Sequence, residues 1–148
     1  FLFYMLVVPV VFQHVDLQVT LLAFLLFNLS AGLTVTLALV STHVGENQEF
    51  VAMENYNLPY SWEIHQLQTT ADFATGNKFI TWFFGGFNHH VAHHIFPGIS
   101  HIHYAAVTPI IKQTTAAFGI TYHESPTLLT AIREHFTLLK IKGLKEEF

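Results

Sequence analysis

Residues 19–42, VTLLAFLLFNLSAGLTVTLALVST, run for 24 positions without an Asp, Glu, Lys or Arg. A helix needs roughly 20 such positions to cross the hydrocarbon core of a bilayer. Length and composition therefore predict a membrane span, and the rest of the chain arranges itself around it. Upstream, residues 1–12 (FLFYMLVVPVVF) hold one proline and no charge. They read as the tail of a second membrane helix, short at its start, joined through the brief connection QHVDLQ (13–18). The expectation for residues 1–42 is an integral membrane helical hairpin. None of the basic residues precedes position 43, whereas Lys78, Lys112, Arg133, Lys140, Lys142 and Lys145 all follow it. The positive-inside rule then places residues 43–148 in the cytosol and the QHVDLQ turn on the opposite side.

Composition agrees with a membrane protein. Hydrophobic residues make up 51% and charged residues 11%, against about 25% charged in soluble domains. The net charge of -4 and the lack of any basic stripe argue against a nucleic-acid partner. With no cysteine, the chain holds no disulfide and no thiolate-bound zinc or iron–sulfur cluster. It opens FLFYML, with neither an initiator methionine nor a signal-peptide layout, so residue 1 is expected to be an internal position of a longer protein.

The eleven histidines are the anomaly, and FNHHVAHHIFP (87–97) packs four of them into six positions. On a helix His90, His93 and His94 share a broad face, being three and four residues apart. Neighbours His93 and His94 diverge by about 100°, enough to reach two different metal ions. His89 points away from His93 and is the weakest candidate. Neutral imidazoles beside an apolar wall suit a borderline metal such as iron, copper or zinc. His43, where the span meets the cytosol, is a candidate further ligand, and His65 in WEIHQ is another. His101 and His103, two apart, cannot both face the cluster from one helix, and at most support it. His14, His123 and His135 read as loop and surface residues. Glu46, Glu49 and Glu54 form no paired-carboxylate motif at helical spacing. No Gly-rich nucleotide loop and no Ser–His–Asp spacing is present.

Between these landmarks, NYNLPYSW (55–62) reads as a loop, and a short helix is expected within 63–77, ending near Gly76-Asn77. FITWFFGGF (79–87) is too short to span and suits an interfacial or re-entrant segment, with Gly85-Gly86 permitting a bend. Pro97-Gly98 stops the histidine helix. A last helix is expected from Ser125 as N-cap and Pro126 as first residue to Gly143, with Leu128, Leu129, Ile132, Phe136 and Leu139 on one face, followed by the charged tail LKEEF. Asn28-Leu29-Ser30 matches a glycosylation acceptor but lies mid-span, so Asn28, Ser30, Thr34 and Thr36 are read instead as hydrogen-bonding to neighbouring helices.

Over HQLQTTADFATGNKFITWFFGGFNHHVAHHIFPGISHIHYAAVTPIIKQT (65–114) the chain resembles the C-terminal part of membrane-bound fatty acid desaturases, notably the bacterial enzymes labelled linoleoyl-CoA or delta-6-type. The resemblance covers most of residues 43–143. His90-x-x-His93-His94 matches the family's third histidine box, with Gly85-Gly86-Phe87-Asn88 as lead-in and Ile95-Phe96-Pro97 as exit. Front-end members with a fused cytochrome b5 domain usually carry glutamine where this chain has His90, which leaves the regiochemistry open. The first two boxes, HxxxH and HxxHH, are not in this chain and are expected upstream of it.

The resemblance implies an all-α fold: a membrane hairpin plus a cytosolic helical histidine-box region, a fragment of a four-helix membrane desaturase that is inactive alone. It further implies a non-haem centre of two iron ions, with His90, His93 and His94 as ligands and His43 and His65 as further ones. O2 and electrons from a ferredoxin or cytochrome b5-type donor would serve the insertion of a cis double bond into a long acyl chain, linked to CoA or lipid. Trp82, Phe83 and Phe84 line an acyl tunnel on this reading, or else simply pack at the membrane. The nearest rivals are other histidine-box membrane oxygenases: a hydroxylase, ketolase or alkane monooxygenase. A histidine-rich metal transporter would want polar groups within the spans, and a b-type haem protein two facing histidines rather than a tight cluster.

Overall fold

The computed structural model describes residues 1–50 and 61–144. Glu54, most of the 55–62 loop and the end of the charged tail lie outside the described residues. The described chain is mostly helical and divides into two compact units, Phe1–Leu37 and Ala38–Phe148.

In the first unit a helix over Phe3–Phe12 is wound with wide, i to i+5 turns around Pro9. Widening the turn relieves the clash that a proline ring makes with the carbonyl four residues back. After a short connection α1 spans Leu17–His43. Asp16 caps it, its Oδ1 accepting the Gln18 N–H at 2.7 Å. The Phe1 ring lies 6.2 Å from that of Phe24, so the first helix runs back alongside α1 as a hairpin. Leu25, Leu29, Leu33 and Val35 are between 53% and 62% exposed. An apolar surface of that extent is suited to lipid, and α1 is long and apolar enough to cross a membrane. Asn28 and Thr34 turn inward on their own helix rather than toward neighbours: Asn28 Nδ2 donates to the Phe24 carbonyl at 2.7 Å and Thr34 Oγ1 to that of Ser30 at 2.8 Å.

The second unit holds α2 (Trp62–Thr69), β1 (Asp72–Phe73), α3 (Lys78–Phe83), α4 (His90–Ile95), a 3-10 turn (His101–His103), α5 (Tyr104–Ala117), β2 (Glu124–Ser125) and α6 (Leu128–Leu144). Helix α4 packs on α2 and α5, and its Val91 and Ala92 are buried with Leu67, Tyr104 and Ile111. A second cluster gathers Phe73, Ala74 and Ala131.

Three elements differ from the sequence expectation. Helix α2 stops at Thr69 rather than near Asn77, because the β-branched pair Thr69-Thr70 leads into extended backbone and β1 pairs in parallel with β2, Asp72 opposite Glu124. Asn77 instead starts α3, its Oδ1 accepting the N–H groups of Phe79 and Ile80 at 3.0 and 3.1 Å. Helix α6 is capped by Thr127, which accepts the Thr130 N–H at 3.0 Å, since Ser125 is taken up in β2; it also continues past Gly143. Its buried strip runs through Ala131 and Leu138, while Leu129 and Phe136 are 68% and 61% exposed. Small Ala131 lets the helix approach Phe73 closely, which turns the apolar stripe outward.

Candidate metal centre

His43 is the last residue of α1, His90 the first of α4, and His94 follows one turn later on the same face. One ring nitrogen of each lies within 4.8 Å of those of the other two. His90 Nε2 is 2.9 Å from His43 Nε2 and 3.1 Å from His94 Nε2. Two imidazole ligands held about 2.1 Å from one ion at angles of roughly 90–110° have nitrogens about 3.0–3.4 Å apart. The spacing of the triad is close to that range, so its donor set fits a transition metal.

Protonation agrees. Burial and the surrounding imidazoles of His94, His43 and His93 push His90 down to about 2. Burial, with His43 and His93, pushes His94 down to about 4. Both are neutral at physiological pH, which is the ligating form. His94 Nδ1–H donates to Gln66 Oε1 at 2.6 Å, leaving the Nε2 lone pair turned into the triad. Ala92 and Val91, 0% and 1% exposed, seat α4 tightly against Leu67 and Ile111.

The remaining histidines divide. His93 is exposed and stands outside the triad, its ring 5.6 Å from that of His94 and its Nδ1 3.1 Å from Tyr104 Oη. It lines a cavity of about 360 Å³ with Phe84, Phe87, Ile99 and His101. His65, on α2, also lies outside the triad, and its buried Nδ1 has no hydrogen-bond partner among the described residues. Both nitrogens of His89 are engaged, with Thr108 Oγ1 at 2.9 Å and Thr81 Oγ1 at 3.3 Å. His101 and His103 are exposed on the 3-10 turn. His123 and His135 are half-buried rather than on the surface: His123 Nε2 is 3.3 Å from Gln68 Oε1, and His135 Nδ1 donates to the Val44 carbonyl at 2.7 Å. Trp82 and Phe83 are 75% and 53% exposed, and Phe84 packs on the Phe73 cluster. A separate apolar cavity of about 380 Å³ opens between α2, α4 and α5, walled by Leu67, Ile95, Val107, Ile111 and Phe118.

Sequence reasoning missed Gln66 and Tyr104. Each meets its histidine across 28 and 11 residues of chain, and no local spacing announces either contact.

Residues 1–126 match the family model described as "Fatty acid desaturase". The chain belongs to the fatty acid desaturase family. It is 32% identical over 142 residues to the sn-1 linoleoyl-lipid 6-desaturase of Arthrospira platensis, an alignment covering 96% of this chain and 38% of that one. It is 40% identical over 114 residues to the enzyme of the same name from Synechocystis, covering 76% of this chain and 32% of that one. With the acyl-lipid (8-3)-desaturase of Physcomitrium patens the identity is 34% over 144 residues, 97% of this chain and 30% of that one. The desaturase-family chain thus spans about a third of the length of these curated relatives. No solved structure matches it. The long apolar α1 and the histidine cluster suit the family's membrane setting and its histidine box.

Proposed function

We propose that this chain supplies part of the iron centre of an O2-dependent acyl desaturase acting on a long acyl chain in a membrane. The observation that carries the reading is the convergence of three imidazole Nε2 atoms from α1 and α4, across 47 residues of chain. His43, His90 and His94 would hold one iron. His93 diverges from them and would serve the second ion of a di-iron pair; His65, whose buried Nδ1 lacks a partner among the described residues, is the further ligand proposed from α2. The rest of the ligand set would come from the part of the protein that this chain does not cover.

When bound, iron supplies the activation of O2 by which two hydrogens are removed from neighbouring methylenes. The balance is one –CH2–CH2– unit, O2, two electrons and two protons giving one cis –CH=CH– unit and two waters. The electrons would come from a ferredoxin or cytochrome b5-type donor. The chain's own residues keep His90 and His94 neutral by burial, and Gln66 fixes the tautomer of His94. A lipid-linked substrate is favoured over a CoA ester by the names of the relatives, which specify linoleoyl-lipid and acyl-lipid desaturation. The placement of Lys and Arg after residue 43 supports an active site on the cytosolic face.

The test is to express the complete encoded protein in a host containing linoleoyl lipids and to analyse the fatty acids by gas chromatography and mass spectrometry. A new cis double bond is expected, and His90→Ala should reduce it at least about 100-fold, as loss of a metal ligand does when no other group replaces it. A hydroxylated or oxo product would move the protein to another histidine-box oxygenase class.

A further inference from the structure

Three consecutive residues, Ala71 to Phe73, touch the chain on both sides of the histidine triad. The Ala71 N–H donates to the carbonyl of Thr42, the residue before His43, at 2.9 Å. The Phe73 N–H donates to the Asn88 carbonyl, two residues before His90, at 3.1 Å. Between them Asp72 Oδ1 accepts the N–H of Val91, the residue after His90, at 2.8 Å. His43 and His90 come from distant parts of the sequence, yet the residues beside both are tied to one three-residue segment.

Asp72 is the one side chain in this set of ties, and its position is costly. It is 0% exposed. Burial pushes its carboxyl up to about 6, and Glu124 repels it further, while the Tyr122 hydroxyl, the Val91 N–H and Lys112 pull it back. Tyr122 Oη–H donates to Oδ2, so both carboxylate oxygens are engaged.

Helix α4 explains the need. It has six residues, too few to hold a helical shape without outside support. The N–H groups of its first turn have no partner within the helix. The residue at its N-cap, His89, makes no side-chain cap because its ring is held by Thr108 and Thr81. The cap comes from Asp72 instead, 19 residues upstream, and a carboxylate there also suits the positive end of the helix.

We propose that Asp72 is a positioning residue for the metal centre, fixing the spacing of His43 and His90 by capping α4 from the same short segment whose Ala71 holds Thr42. This rests on the reading of His43, His90 and His94 as metal ligands.

The experiment uses the complete encoded protein, purified in detergent and loaded with iron. It records iron per chain, the rate of iron loss to a ferrous chelator, the Mössbauer spectrum and the melting temperature. Asp72→Leu should release iron about 10-fold faster or more and alter the spectrum. Asp72→Asn keeps an acceptor for the Val91 N–H and should restore the release rate to within about 2-fold of wild type. Leu138→Ala, a buried change in α6 that touches none of these hydrogen bonds, should lower the melting temperature and leave iron release and spectrum unchanged. If Asp72→Leu behaves like Leu138→Ala, or Asp72→Asn rescues nothing, Asp72 only stabilises the fold and the inference is overturned. Should Asp72→Leu fail to fold, Asp72→Ala removes the acceptor of the Val91 N–H without a larger side chain in its place; a several-fold faster release supports the inference and an unchanged rate overturns it. A wild-type protein that binds no iron overturns the metal-centre reading itself. Iron held equally by wild type and Asp72→Leu overturns the positioning role alone.

Discussion

The 2.6 Å between His94 Nδ1 and Gln66 Oε1 has a chemical consequence, because an amide oxygen only accepts. The proton must sit on Nδ1, and the lone pair on Nε2 faces His90. Gln66→Leu removes that constraint, and metal affinity should fall about 10- to 100-fold while secondary structure is retained. Titration of the purified protein with iron against a competing chelator measures it. At this scale the spacing of His90, His93 and His94 was plain in the sequence, because residues on one helix obey a local period. Helical spacing sets His93 and His94 about 100° apart, but it also puts His93 on one broad face with His90, and it does not announce that His93 stands outside the triad. Gln66, Asp72 and Tyr104 were not legible, because each reaches its partner across a fold that no local pattern encodes.

Helix α4 enters from a bend in which Gly85 and Gly86 adopt φ of +58° and +83°. The two glycines are not equivalent. A Cβ on Gly86 would lie 3.0 Å from the His101 carbonyl oxygen, whereas a Cβ on Gly85 would meet nothing within 4 Å. Gly85→Ala should therefore cost about 1–2 kcal/mol, the usual charge for left-handed backbone. Gly86→Ala should cost more, about 2–4 kcal/mol, because steric conflict with backbone adds to it. Denaturant melts of the two variants give the comparison, and equal losses would deny the close approach. The sequence announced this bend through its glycine pair. It did not announce where α2 stops or which strip of α6 is buried. Those depend on a two-residue parallel pairing, β1 with β2, and on Ala131 meeting Phe73. Apolar periodicity identifies a helix but not which partner will claim its face.

For the molecule as a whole, the membrane character was the most legible property. A run of 24 uncharged positions is a matter of composition and length, and needs no tertiary information. The all-α class was what the family resemblance implied, and the described chain is mostly helical, with the small β1–β2 pair as the exception. What the sequence alone left open was whether the histidine at the end of α1 meets those of α4, and the structure brings His43 within reach of His90 and His94. The central claim is that these three side chains jointly hold iron. The most direct measurement is the iron content of the complete encoded protein beside His43→Ala, His90→Ala and His94→Ala, by elemental mass spectrometry after chelator washing. The account predicts bound iron in the wild type and a marked loss in every variant, His43→Ala included. Full retention of iron by His43→Ala would contradict it, because the triad would then be a cluster of neighbours and not a shared ligand set.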